Sequence, residues 1–171
     1  ICQNGAPATG LECPNNGDVK CPLTCNDGYG DSTNSSINDI CELRQCVCSN
    51  GVASTGVDCP NNGDTKCVAG TCHNGYYFDN NQCMIKTCSC NNGTGATGVN
   101  CNINGNTKCI SCNNGYHLSN DRCLLNSCDS CVNGEGAIGT QCSTNGGNTC
   151  VSCIPGYGDS NNSPINGLCP L

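Results

Sequence analysis

Three pairs of cysteines stand two residues apart: Cys109-Ile-Ser-Cys112, Cys128-Asp-Ser-Cys131 and Cys150-Val-Ser-Cys153. At a helix N-terminus that spacing lowers a thiol pKa and makes a redox centre. Here no stretch carries the sustained 3.6-residue apolar period of a helix, and Gly, Asn and Pro interrupt the chain about every ten residues. A structural role is therefore expected for these pairs. Zinc is the competing use of dense cysteine, but structural zinc sites draw on His or on tight knuckles at long separation, and only His73 and His117 exist, at unrelated positions. Both are expected to be solvated loop residues. No nucleophile with its base, phosphate loop or carboxylate pair recurs along the chain. No catalytic, cofactor-binding or metal-ligating residue is assigned, and the chain is not expected to be an enzyme.

The one decorated feature is the sequon, present as Asn34-Ser-Ser, Asn92-Gly-Thr and Asn161-Asn-Ser, the last followed by Pro164. These asparagines are N-glycan acceptors in a secreted chain, and the Ser/Thr-rich loops suit O-glycans. Asn34 and Asn161 are read as equivalent places in two long loops.

The elements that would position such groups follow from composition. Of 171 residues 23 are Cys and 23 Gly, with one Phe and no Trp, which is the composition of a disulfide scaffold. Thiols at this density persist as disulfides only in an oxidising compartment, so a secreted or cell-surface location is expected. A net charge of −7 with only six Lys and Arg argues against nucleic acid or an anionic membrane as partner. No apolar run approaches the ~20 residues of a membrane span, so no membrane insertion is expected in this segment.

Cysteine spacing reveals a repeat. Ten residues separate Cys2 from Cys13, Cys48 from Cys59, Cys90 from Cys101 and Cys131 from Cys142; seven separate Cys13 from Cys21, Cys59 from Cys67, Cys101 from Cys109 and Cys142 from Cys150. A fifth cysteine follows in each copy (Cys25, Cys72, Cys112, Cys153), then Gly-Tyr, a loop and a sixth (Cys41, Cys83, Cys123, Cys169). Four further residues lead to the next copy at Cys46, Cys88 and Cys128. The copies span 1–45, 46–87, 88–127 and 128–171. The first cysteine of copy one would fall just before Ile1, and Cys-Pro-Leu at the other end resembles the start of a spacer, so the chain is expected to be cut from a longer array. A longer period is visible too, because the loop 26–40 recurs as 154–168, 128 residues on, with shorter loops between. The Asn-Gly or Gly-Gly within Pro-Asn-Asn-Gly-Asp, Asn-Ile-Asn-Gly-Asn and Ser-Thr-Asn-Gly-Gly is expected to close a two-residue hairpin.

A unit of about 40 residues cannot bury enough apolar surface to offset roughly 1–2 kcal/mol of backbone entropy per residue, so cross-links must hold it. Six cysteines pair in fifteen ways, and the residues alone select none. The order C-x(1,2)-C-x10-C-x7-C-x(2,4)-C-x-x-G-Y-x(n)-C, with Gly28-Tyr29, Gly75-Tyr76, Gly115-Tyr116 and Gly156-Tyr157, resembles the epidermal growth factor-like (EGF-like) module, and its opening and close are more similar to the laminin subtype. The resemblance implies a small disulfide-rich fold of tandem modules with short β-hairpins, little or no helix, in an elongated array. It also implies bonds from first to third, second to fourth and fifth to sixth cysteine: Cys25–Cys41 and Cys2–Cys21; Cys46–Cys59, Cys48–Cys67 and Cys72–Cys83; Cys88–Cys101, Cys90–Cys109 and Cys112–Cys123; Cys128–Cys142, Cys131–Cys150 and Cys153–Cys169. Exchange of the first and second cysteines is the main rival. Asp79-Asn-Asn-Gln-Cys83 resembles the signature of calcium-binding modules, but it stands before the sixth cysteine and the spacers lack acidic residues, so no cofactor is expected, with calcium the one alternative.

Similar tandem modules occur in surface and filament proteins of protists, including flagellar hairs. The expected function is a structural repeat segment of an extracellular filament, flagellar hair or surface coat, with self-association or neighbouring modules as partners. The alternative is an adhesive or ligand-binding receptor ectodomain. The aromatic run Tyr76-Tyr77-Phe78 is read as a contact patch, which serves that alternative or equally a module-module or lateral filament contact.

Overall fold

The computed structural model describes residues 2–7, 9, 20 and 24–171. The chain forms two compact units, Ile1–Ile85 and Lys86–Leu171, each holding two copies of the repeat. The boundary falls inside the spacer between copies two and three.

Among the described residues the backbone makes eight short strands, paired two by two and all antiparallel. The first unit contains β1 (Tyr76–Asp79) and β2 (Gln82–Ile85). The second contains β3 (Gly93–Gly95) with β4 (Cys109–Cys112), β5 (Tyr116–Ser119) with β6 (Arg122–Leu125), and β7 (Gly134–Gly136) with β8 (Cys150–Cys153). The only helical elements described are single 3-10 turns at Gly56–Asp58, Gly98–Asn100 and Gly139–Gln141. This is a small disulfide-rich fold of short hairpins with almost no helix.

The hairpins do not close where the Asn-Gly pairs predict. β1 and β2 are joined by Asn80-Asn81, with φ of 44° and 63°, and β5 and β6 by Asn120-Asp121, with φ of 47° and 62°. Two consecutive left-handed residues make a type I′ turn, whose twist matches that of the strands it joins. The run Asp79-Asn-Asn-Gln-Cys83 is thus the tip of a hairpin. The Asn-Gly pairs instead form single turns: Asp64 N–H donates to Asn61 O and Asn106 N–H to Ile103 O, with Gly63 and Gly105 both at φ 83°. One positive φ at the third position is a type II turn, which reverses the chain without starting a strand pair.

Burial explains why cross-links carry the fold. Every buried apolar residue among those described is a cysteine or an alanine, Ala96 and Ala137 being 0% exposed. Larger side chains stay outside, as with Val57, Ile103 and Leu118. With no aliphatic core among the described residues, the chain packs around sulfur.

Candidate functional site

The ten disulfides described have Cα–Cα distances of 5.0 to 5.7 Å, within the ordinary range for such bonds. In copy two Cys46 joins Cys59, Cys48 joins Cys67 and Cys72 joins Cys83. Copy three has Cys88–Cys101, Cys90–Cys109 and Cys112–Cys123, and copy four has Cys128–Cys142, Cys131–Cys150 and Cys153–Cys169. In copy one Cys25 joins Cys41. Cys2 is bridged as well, while Cys21, the partner expected for it, lies outside the described residues. The two sulfurs of each Cys-x-x-Cys pair belong to different bridges. Where three sulfurs gather, as at Cys48, Cys67 and Cys83, they are bridge sulfurs and not the thiolates that ligate zinc.

The feature that recurs most closely beyond the bridges is the spacer. Its third residue is Arg44, Lys86 or Asn126, and its fourth Gln45, Thr87 or Ser127. Within the first unit Arg44 N–H donates to Gly28 O (2.9 Å), while Arg44 O accepts from Gly56 N–H (2.8 Å). Within the second unit Asn126 repeats both bonds with Gly115 O and Gly139 N–H, each 2.9 Å, and Lys86 O accepts from Gly98 N–H at 2.8 Å. The next residue is held at both of its backbone groups by one Asn-Gly pair. Gln45, Thr87 and Ser127 N–H donate to the Oδ1 of Asn62, Asn104 and Asn145 at 2.8, 2.9 and 3.0 Å. Their carbonyls accept from Gly63, Gly105 and Gly146 N–H at 2.8, 2.8 and 2.7 Å. The side chains of the third residues add a further tie: Arg44 Nη1 to Pro60 O (2.9 Å), Lys86 Nζ to Asn102 O (3.1 Å) and Asn126 Nδ2 to Cys142 O (2.9 Å).

Three chemically different residues thus perform one task, reaching the carbonyl of the next copy's third cysteine or of the residue just after it. Arg44 and Asn126 are only 7% and 5% exposed, a burial that polar groups tolerate when they are hydrogen-bonded, as Asn126 Nδ2 and Arg44 Nη1 and Nη2 are; Arg44 Nε is buried without a hydrogen-bond partner among the described residues. The glycines are required on steric grounds. A Cβ on Gly28 would stand 2.6 Å from Val57 N, and one on Gly115 would stand 2.6 Å from Thr140 N. Within each unit the spacer is clamped backbone rather than a free linker.

The expected positions fare unevenly beside this joint. His117 lies on half-buried β5, not in a solvated loop, and its Nδ1 is 3.2 Å from Asn126 Oδ1. His73 is exposed. Tyr76, Tyr77 and Phe78 do not form one patch, because strand side chains alternate: Tyr76 and Phe78 pair with Ile85 and Cys83, whereas Tyr77 pairs with Met84 on the opposite face.

The reading of Asn34 and Asn161 as equivalent is also corrected. Asn34 matches Asn162: both have left-handed φ (60° and 56°), and each carbonyl accepts the N–H of the fifth cysteine, Cys25 or Cys153. Asn34 is half-buried, its Nδ2 donating to Asp27 Oδ1 and its Oδ1 accepting from Arg44 Nη2, both at 2.9 Å. Asn92 and Asn161 are exposed. The loop 26–40 is therefore not purely an outward decoration, since it leans on the joint through Asn34.

Both long loops share one device. Asp31 Oδ1 accepts from the N–H groups of Thr33 and Ser35, and Asp159 Oδ1 from those of Asn161 and Ser163, all at 2.8 Å. The Ser35 N–H, then the Thr33 hydroxyl and N–H, and more weakly the charge of Arg44, hold the Asp31 carboxyl below its ordinary value. A depressed carboxylate contributes stability above its unfolded value and loses it as pH falls through the folded one. Acidification should thus leave the Thr33 and Ser35 amides protected through the usual carboxylate range and release them only below it. An Asp31 carboxyl carbon that titrates by NMR with an ordinary midpoint would refute this.

Fold and site together define a modular disulfide-rich chain whose repeats are joined by hydrogen-bonded spacers. Compared with protein-family models, curated proteins and solved structures, the chain finds no match in any of the three.

Proposed function

We propose that the chain is a structural repeat segment of an extracellular filament, flagellar hair or surface coat, built of EGF-like modules and carrying N-glycans. The observation that supports this reading is the clamped spacer. A structural array needs joints that resist bending, and within each unit the spacer is fixed by backbone bonds to both flanking copies, with Arg44 in one unit and Asn126 in the other. The disulfides suit an oxidising, extracellular location, and no helix among the described residues is long and apolar enough to cross a membrane. A binding ectodomain would call for a concentrated aromatic or charged surface; the division of Tyr76, Tyr77 and Phe78 between two faces weakens them as such a surface and equally as a single filament contact.

Glycans belong to the proposal at unequal strength. Exposed Asn92 and Asn161 should carry sugar more completely than Asn34, whose amide already serves Asp27 and Arg44. Mass spectrometry of chain from its source reads the occupancy at each site; a fully occupied Asn34 beside bare Asn92 and Asn161 would reverse the ranking. The function itself is tested by negative-stain microscopy of the same material. Regular filaments with an axial repeat support it, and isolated flexible rods would favour the ectodomain.

A further inference from the structure

In copy three two disulfides lie against each other. The sulfurs of Cys90, Cys109 and Cys123 all fall within 4.8 Å of one another, and Cys90 Sγ is 3.7 Å from Cys123 Sγ, although these two belong to different bridges. Gly93 makes the contact possible, since a Cβ there would stand 2.7 Å from Cys123 Sγ. Gly5, Gly51 and Gly134 occupy the same place in the other copies, each 2.6 Å by the same measure from the sixth cysteine's sulfur. In copy three the grouped sulfurs lie at a cleft. A cleft of about 340 Å³, lined by Ser89, Asn92, Thr107 and Arg122, opens on Cys109 and Cys123.

We propose that this cleft is a thiol–disulfide exchange site for a small carboxylate-bearing thiol. Arg122 attracts the anion and favours its thiolate, the nucleophilic form. The entering thiolate attacks Cys109 Sγ, forming a mixed disulfide and breaking the Cys90–Cys109 bond, so that Cys90 leaves as thiolate. Cys90 has only about 1.6 Å to travel from its present contact to a bond length of ~2.05 Å. It attacks Cys123 Sγ, forming Cys90–Cys123 and expelling Cys112, which takes up the proton the entering thiol gave up. One thiol enters, one protein thiol is released, and the number of disulfide bonds rises by none once the adduct is counted. Cys112 does not then displace the adduct from Cys109, because in β4 three residues of extended chain separate their Cα atoms by about 10 Å. The product is an adduct on Cys109, a free Cys112 and a rearranged bridge, and it gives the Cys109-x-x-Cys112 pair a chemistry that the resting fold conceals.

The test uses the full oxidised chain made without N-glycans, because Asn92 stands on the cleft's rim. The chain is treated with reduced glutathione, quenched in acid, alkylated and mapped by mass spectrometry. The expected early product carries glutathione on Cys109, the alkyl group on Cys112 and a Cys90–Cys123 linked peptide. Arg122→Ala should slow its formation several-fold with glutathione but not with uncharged 2-mercaptoethanol. An adduct on Cys109 with Cys90 alkylated and Cys112–Cys123 intact would overturn the second exchange. Reaction at copy three no faster than at copy two, or a rate indifferent to Arg122, would overturn the site. As an independent check, Cys109→Ser leaves Cys90 as a thiol beside the second bridge, and the oxidised variant should equilibrate between Cys112–Cys123 and Cys90–Cys123. Finding Cys112–Cys123 alone would contradict the proposal without any added thiol.

Discussion

Full reduction and alkylation should abolish amide protection in every copy of the repeat, with no residual folded subdomain. The expectation rests on what is buried. Among the described residues the apolar interior is cysteine and alanine, so breaking the bridges leaves no Val, Leu, Ile or Phe core to hold the chain. Ordering the backbone costs roughly 1–2 kcal/mol per residue. Each bridge, with its cysteines 11 to 19 residues apart, offsets about 3 kcal/mol of this in the chain-entropy model. Replacing Cys88 and Cys101 together by alanine should accordingly destabilise copy three by about 3 kcal/mol in denaturant melts. Amide exchange that survives reduction unchanged would show that something other than sulfur holds the fold.

The second large effect is expected at a glycine. Gly115 sits at φ 86°, where alanine costs about 1–2 kcal/mol through the backbone alone. Its Cβ would also meet Thr140 N at 2.6 Å and Gly139 C at 2.8 Å, forcing apart the joint that Asn126 makes with Gly115 and Gly139. Losing those two hydrogen bonds adds about 1 kcal/mol each. Gly156 provides the control, since it has a φ of 92° yet a Cβ there meets nothing within 4 Å. Gly115→Ala should therefore be more destabilising than Gly156→Ala by about 2 kcal/mol. Equal costs would mean that the spacer contact carries no energy.

Much of this architecture could be read from residue types, and the failures have physical causes. Cysteine density, the ten-and-seven intervals and the absence of a helical period pointed to a small disulfide-rich fold of short hairpins, because those features act locally. Turn placement did not follow as readily. Asn-Gly is compatible both with a type I′ hairpin and with a type II turn. Asn104-Gly105 takes the second form because Asn104 Oδ1 and Gly105 N–H are both occupied by Thr87. That partner lies far back in sequence, so no local rule finds it. The hairpins went to Asn80-Asn81 and Asn120-Asp121, which carry no glycine.

The joint itself was hidden for a different reason. Its side-chain ties are made by Arg44, Lys86 and Asn126, which share no chemistry apart from an N–H donor, so the sequence varies at the very place where the tie recurs. The usable signal was the glycine three residues before the third cysteine, at Gly56, Gly98 and Gly139, left-handed in each case. Likewise the Asn34 side chain is tied by Arg44, which reaches back to it from the spacer, and the sequon alone does not reveal this.

The claim that the spacers are clamped joints is tested most directly by amide hydrogen exchange at the spacer and its partners in the oxidised chain. Arg44, Gly56, Thr87, Asn126 and Gly139 N–H should exchange as slowly as the paired amides of the β5–β6 hairpin, because each is held by a bond of 2.8 to 2.9 Å. Exchange of these amides at the rate of an unstructured chain, with the hairpin still protected, would make the spacers flexible tethers and contradict the account.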